Sequence, residues 1–433
     1  MMQSGELPTS ESRPRQGYDV AVWAKIGLLS FGGPAGQIAL MHRRIVDELK
    51  WLSESQFLAA LNFCMLLPGP EAQQLATYIG WHRAGWRGAL VAGWLFVLPG
   101  VLVMYGLCWA YVSAAQLPGV AAALLGVKCA VMAILVQAVV RLARRALRFR
   151  GAIVVAVTAF FANFLLAVPY PLTVLASGLC GYFSAQVPPV NSAGPECPPD
   201  RPNYRLVLAT AAAWLLPTTL LVVLLGTDHL LVRIALFFSE VAVVTFGGAY
   251  AVLGYVADHA VQQGWLSVAQ MTDGLGLAET TPGPLILVLQ FVAFLAGSGQ
   301  YPGPIGWLMA TAASALAIWT LFLPSFMWVF LGAPHLQRLN AHPRLQRALS
   351  YITAAVMGVI LNVSVWFIVH VMFAQVAQQR TGPLNLLVPD PASFVAASLV
   401  PIAVACCSLF VLRYGVVVTL ALSAAAGLLA SWV

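Results

Sequence analysis

Charge is what this sequence has least of. Fifteen acidic and 22 basic side chains make up 9% of its 433 residues, where soluble domains carry about 25%. With 60% hydrophobic residues and a mean hydropathy of +0.85, that scarcity excludes an ordinary soluble protein. Catalytic signatures are missing as well. No GxxxxGK[ST] occurs, so nothing points to ATP hydrolysis; no HExxH, helical HxxxH or GxSxG points to a metalloenzyme or a hydrolase. Gly274 and Gly276 lie in an apolar segment, outside any nucleotide-binding context. The seven cysteines (Cys64, Cys108, Cys129, Cys180, Cys197, Cys406, Cys407) form no CxxC pair and read as core fillers. No cofactor or metal is expected. The polar N-terminus shows no secretory n-region and h-region pattern.

What the chain has instead is apolar runs of spanning length, from end to end. They approximate to 20–41, 57–80, 88–112, 117–141, 151–168, 170–187, 205–225, 230–257, 271–296, 304–331, 348–373, 392–412 and 414–432. The expected fold is an all-α polytopic membrane protein whose partner is the lipid bilayer. The net charge of +7 does not imply nucleic acid, because the arginines sit in short loops and mark the cytoplasmic side. Oligomeric state is not legible, and a homodimer is compatible with the sequence.

The chain repeats itself. Lys25–Gly33 (KIGLLSFGG) aligns with Glu240–Gly248 (EVAVVTFGG), Trp51-Leu52-Ser53 with Trp265-Leu266-Ser267, and Pro68-Gly69-Pro70 with Pro282-Gly283-Pro284. Leu98-Pro99 answers Leu323-Pro324, and Ala130-Val131-Met132 answers Ala355-Val356-Met357. The expected organisation is a polar tail over 1–19, a first repeat over 20–187, a proline-rich linker with a connecting helix over 188–229, and a second repeat over 230–433. The basic loops Arg141–Arg150 and His335–Arg347 do not occupy equivalent places in the two repeats. Basic loops that alternate between halves mark inverted topology, and the extra segment near 205–225 supplies the odd crossing that inversion requires.

Each proline-glycine-proline interrupts an apolar run, where proline removes amide donors and clashes with the preceding turn. The loops flanking Phe57–Trp81 are both basic, which suits a re-entrant hairpin entering from the cytoplasm better than a broken span. Met271–Ala296 then enters from the opposite face. A helix restarting after each break, at Glu71 and Leu285, offers unpaired amides and a positive dipole end to an anion. Gly32-Gly33 and Gly247-Gly248, beside Phe31 and Phe246, bring bare backbone to the same region. The site expected from the residues is therefore a small-anion site. It comprises Lys25, Phe31, Gly32, Gly33, Pro68, Gly69, Pro70, Gln73, Gln74, Phe246, Gly247, Gly248, Thr280, Thr281, Pro282, Gly283 and Pro284. Gln73, Gln74, Gln290, Thr280 and Thr281 supply amide and hydroxyl groups. Lys25 attracts the anion or pairs with Glu240 across the pseudo-symmetry axis. Glu71, Glu240 and Glu279 are candidates for carrying a coupling proton. Lys128 and His259, and the tryptophans Trp51, Trp81, Trp86 and Trp265, are expected at the membrane interface.

The strings SFGGPAGQIALMHRRIVDE, FLAALNFCMLLPGPEAQQLATYIGW, VAGWLFVLPG, VTFGGAYAVL and GLAETTPGPLILVLQFVAFLAG closely resemble the chromate ion transporter family in its long, two-domain bacterial form. The resemblance covers both halves. It implies a transporter and no enzyme, exporting chromate across the bacterial inner membrane, conferring chromate resistance and energised by the proton gradient. Sulfate is the related oxyanion, and a transporter or channel for sulfate or another small anion is the alternative. From another class, the rival is a membrane enzyme acting on lipid or quinone head groups.

Overall fold

The computed structural model describes residues 19–115, 117–184, 203–246, 249–336, 342–382 and 384–430. The N-terminal tail and most of the proline-rich linker lie outside that range, as do Gly247 and Gly248. The described chain is helical apart from one short β-hairpin. In order, α1 is Val20–Leu29, α2 Gly33–His42, α3 Glu54–Cys64, α4 Glu71–Ala114, α5 Pro118–Ala146, α6 Arg150–Leu166, α7 Tyr170–Phe183 and α8 Tyr204–Leu225. The second half holds α9 Leu230–Val244, α10 Ala249–Gln262, α11 Val268–Thr280, α12 Val288–Gln300, α13 Gly303–Gly332 and α14 Pro343–Met372. After it come strands β1 Val376–Thr381 and β2 Leu384–Pro389, then α15 Leu399–Cys406 and α16 Val416–Ala430. Among the described residues, five helical stretches are long and apolar enough to cross a bilayer: Glu71–Ala114, Pro118–Arg144, Tyr204–Leu225, Gly303–His335 and Pro343–Met372. α8 leaves Leu208, Leu216, Val223 and Leu224 exposed, as a lipid-facing helix should. The protein is an all-α polytopic membrane protein.

Local chemistry sets the boundaries. Both α3 and α11 begin with a capping box: Ser53 with Gln56, and Ser267 with Gln270. Proline occupies the first turn of α5, α7, α13 and α14, where its missing amide costs nothing. Segments 20–41 and 230–257 are each broken near the FGG motif, giving α1 with α2 and α9 with α10. Segments 57–80 and 88–112 divide where expected, at a turn inside one long helical stretch. α4 runs from Glu71 to Ala114 and turns back at Ala84 and Gly85, the latter at φ +63°. A Cβ on Gly80 would lie 2.3 Å from the carbonyl oxygen of Gly88, so the arms on either side of that turn pack closely. The connector after α14 forms the β1–β2 hairpin, with Val376 opposite Pro389 and Thr381 opposite Leu384; the first half has no counterpart among the described residues.

The proline-glycine-proline breaks are tips of hairpins. A Cβ on Gly274 in α11 would lie 2.5 Å from the Phe291 ring in α12. A continuous helix would hold residues this far apart in sequence about 25 Å from each other. Phe63 of α3 and Tyr78 of α4 have ring centroids 5.8 Å apart, and the same reasoning applies. Each arm is 11 to 13 residues, or about 16–20 Å, well short of the bilayer core.

The halves run in opposite directions. Trp94 packs on Phe326 and Trp319, Tyr105 reaches Thr311 at 2.9 Å, and Trp109 meets Trp307. Equivalent helices α4 and α13 are therefore antiparallel. The halves also interlock: α5 packs against α15 and α16, while α14 packs against α6 and α7.

Candidate functional site

The break motifs meet through a reciprocal pair of backbone hydrogen bonds. The Gly69 amide donates to the Thr245 carbonyl at 2.8 Å, and the Gly283 amide donates to the Ser30 carbonyl at 2.8 Å. Ser30 and Thr245 are equivalent residues, each directly before an FGG phenylalanine. Each hairpin tip is thus tied to the FGG break of the opposite half, and both acceptor residues are fully buried. Glycine is needed for this geometry. Gly69 and Gly283 adopt φ +118° and +95°, and Gly32 and Gly33 adopt +86° and +66°, a region that Cβ disfavours.

The Gly69 and Gly283 amides hold the halves together and are spent on doing so. The positive groups facing the junction belong to the helix starts. α2 begins at Gly33 behind Gly32, with Pro34 in its first turn, and α4 begins at Glu71 behind Pro70; neither has a side-chain cap. The second tip leads from Pro284 through a single 3₁₀ turn, Leu285–Leu287, into α12, again without a side-chain cap. Uncapped helix starts keep their amide hydrogens and dipole charge available to an anion.

Glutamines tie down the tip carbonyls. Gln74 donates to the Pro68 carbonyl at 2.7 Å, and Gln37 donates to the Gly283 carbonyl at 2.5 Å and to Ser30 at 3.4 Å. Gln290 donates to Val101 at 3.1 Å and Gln73 to Thr77 at 3.3 Å. All four glutamines are buried. Gln74 therefore shapes the loop, where direct coordination was expected. Thr280 and Thr281 donate to Leu277 and Ala278, at 2.7 and 2.8 Å. Their hydroxyl hydrogens are committed, which leaves them only acceptor lone pairs.

Phe31 is half-buried, and the Phe246 backbone exchanges hydrogen bonds with the Tyr170 hydroxyl, at 3.1 and 3.4 Å. Gly247 and Gly248 lie outside the described residues. Pro282 packs against α4, where a Cβ on Gly100 would lie 2.2 Å from its carbonyl oxygen. Lys25 is exposed on α1 and joins no ion pair among the described residues, and Glu240 accepts instead from the Tyr255 hydroxyl at 2.7 Å. The expected Lys25–Glu240 pair does not form. Glu71 is half-buried in the first turn of α4. Glu279 is 4% exposed and accepts from the Tyr250 hydroxyl at 2.5 Å. A Cβ on Gly33 would lie 3.6 Å from that same hydroxyl, so Tyr250 links Glu279 to the first FGG break.

Sequence reasoning missed several groups. Ser325 is buried, its hydroxyl has no hydrogen-bond partner among the described residues, and a Cβ on Gly69 would lie 2.7 Å from it. Its only sequence signal is that it follows the Leu-Pro pair where the first half carries Gly100. Gln37 and Tyr250 carried no signal, since their roles depend on contacts between halves. Lys128 and Trp265 have partners that the sequence did not signal. Lys128 makes a 2.9 Å ion pair with Asp273 between two apolar helices, and Trp265 is 3% exposed, packed on Phe237, Phe238 and His259. Among the described residues no group of His, Cys, Asp and Glu could hold a metal ion.

Two inverted helical hairpins meeting at broken helices inside a membrane domain are an arrangement that transporters of the inverted-repeat type share. The chain belongs to the chromate transporter family, whose model matches residues 20–182 and 232–428. It is 33% identical over 357 residues to the chromate transport protein of Pseudomonas aeruginosa, covering 78% of each chain. It is 28% identical over 348 residues to the chromate transport protein of Cupriavidus metallidurans, covering 79% of this chain and 80% of the relative. A probable chromate transport protein of Synechococcus elongatus is 27% identical over 342 residues, with 78% and 80% covered. No solved structure matches the chain.

Proposed function

We propose that this protein is a secondary transporter that exports chromate across the bacterial inner membrane, coupled to the proton gradient, and so confers chromate resistance. The observation that carries the reading is the reciprocal Gly69–Thr245 and Gly283–Ser30 bonding. It gathers uncapped helix starts from both halves at one buried junction. A tetrahedral dianion suits such a junction, because backbone amides and helix ends stabilise negative charge without a buried cation to neutralise. The family and the relatives named as chromate transport proteins support chromate as the dianion.

In this reading the anion lies among the starts of α2, α4 and α12, with the Ser325 hydroxyl as a donor and Lys25 as an attracting charge at the approach. Gln74 and Gln37 hold tip carbonyls by donating to them, which keeps those oxygens off the anion. Glu279 is the proton carrier best placed among Glu71, Glu240 and Glu279. It is buried, it lies beside the second tip, and Tyr250 connects it to the first FGG break. A proton on Glu279 removes a negative charge beside the anion, which links the two movements.

The test is chromate uptake into everted membrane vesicles with and without an imposed proton gradient. Uptake that collapses with an uncoupler and is inhibited by sulfate is the expected result. Gradient-independent uptake would remove the coupling. Absence of chromate uptake alongside robust sulfate uptake would reassign the substrate to another small anion.

A further inference from the structure

Away from the crossed tips, one carboxylate joins three elements inside the apolar core. Asp273 of α11 pairs with Lys128 of α5 at 2.9 Å, and its second oxygen accepts from the Tyr111 hydroxyl of α4 at 2.7 Å. The Lys128 and Asp273 side chains are 19% and 11% exposed. The other ion pairs among the described residues lie near the base of the first hairpin. Ionising two groups in an apolar environment is costly, and such a pair is weak evidence for stability. Its value lies in fixing one arrangement.

The packing shows which arrangement. One turn beyond Asp273, a Cβ on Gly276 would sit 3.0 Å from Val127, so α11 lies close against α5 there. Tyr111 also stands edge-on to Phe291 of the other arm, with ring centroids 5.0 Å apart. The triad therefore grips both arms of the second hairpin. By the repeat alignment, the positions matching Asp273, Lys128 and Tyr111 in the opposite half are Ala59, Thr353 and Leu336. The first hairpin adopts the same fold without any such charge, so the fold itself does not require the triad.

We propose that Lys128, Asp273 and Tyr111 are positioning residues: a charged latch, specific to the second half, that holds the α11–α12 hairpin and with it Glu279 and the Pro282–Pro284 tip. The inference rests on the transport reading only for its activity readout. Two measurements on the full-length membrane protein test it: the initial rate of chromate uptake in everted vesicles, and amide hydrogen exchange over residues 268–280 by mass spectrometry. K128Q and D273N each leave one buried charge uncompensated. Each is expected to slow uptake about tenfold or more at parental membrane levels, and to speed exchange in α11. The reversed pair K128D/D273K, which compensates both charges but cannot accept from the Tyr111 hydroxyl at position 273, restores both to about the level of Y111F, with the pH dependence of uptake unchanged in shape. Y111F, which deletes one hydrogen bond, gives the milder form of both effects, and it decides the matter if a charge variant does not reach the membrane.

Parental exchange in the single variants, or in Y111F where they cannot be measured, overturns the latch. A reversed pair that reaches the membrane but restores neither readout also overturns it. A flattened pH profile in D273N makes Asp273 a proton carrier and overturns the positioning role. If the parent moves no chromate while exchange responds as described, the latch stands and the substrate assignment falls.

Discussion

The two hairpins share a fold but not a setting. In the second, every residue of α11 from Met271 to Glu279 is buried, as is α12 from Val288 to Gly297. In the first, the opening arm of α4 is buried from Ala72 to Thr77, but α3 buries only Phe57, Ala60, Phe63 and Cys64 and leaves Leu58 exposed. Their anchors differ accordingly. The first is held at its base by His42 against Glu54 at 2.5 Å, and by Arg83, which pairs with Asp19 at 2.8 Å and stacks over Trp51 at 3.7 Å. The second is held from within by Lys128, Asp273 and Tyr111. Local stability follows buried contacts, so of the four hairpin arms α3 is the least firmly held. Pseudo-symmetry thus supplies matching junctions, and asymmetric packing holds them unequally.

Leucine at the two tip glycines should have the largest effect. Both positions have positive φ, which costs a non-glycine residue about 1–2 kcal/mol before any clash. At Gly69 a side chain first meets Ser325 Oγ and Gln74 Nε2, groups that can rotate; at Gly283 it meets Leu287 and the backbone of Gly100. Both variants are expected to lose chromate uptake by about a hundredfold, with Gly283→Leu the worse. Normal uptake in either, measured in everted vesicles, would sink the crossed-tip site.

Glutamate neutralisation comes next. Glu279→Gln should abolish gradient-driven uptake while sparing chromate exchange between two equal pools, because only net transport needs the proton. Glu71→Gln, at a half-buried helix start, should retain gradient-driven uptake to within about threefold. The reverse ranking would move the coupling proton to the first hairpin.

Ser325 separates the tips more finely. Ser325→Ala removes an unpaired hydroxyl beside Gly69 and should raise the KM for chromate about three- to tenfold with little change in kcat. Ser325→Gly, which copies the residue of the first half, should match it. An unchanged KM in both would remove Ser325 from the site. The smallest effect belongs to the base of the first hairpin. Arg83→Ala removes one partly buried ion pair and one cation–π contact, together about 1 kcal/mol. It should lower the Tm in detergent by about 2 °C and leave uptake near parental. A large loss of uptake would make that base a working gate.

Much of this was legible in the chain. Sparse charge and long apolar runs determined a membrane protein, because hydrocarbon tolerates few ionised groups. The FGG and PGP repeats determined two related halves, and the unequal distribution of basic loops pointed to their inversion. The capping serines Ser53 and Ser267 sit at matching places, and they start matching helices. Proline and glycine announce breaks reliably, since their constraint is local to the backbone.

What those breaks touch was decided only by the tertiary structure. The hydrogen bonds from Gly69 to Thr245 and from Gly283 to Ser30 join residues far apart in sequence, and no local preference encodes them. For the same reason Lys128 read as an interfacial lysine until Asp273 and Tyr111 closed around it, and Lys25 read as a partner for Glu240 until Tyr255 took that place. Sequence determined where the helices must stop. The packing of two antiparallel halves decided which stopped ends face each other, because that depends on contacts between elements and not on the residues within any one of them.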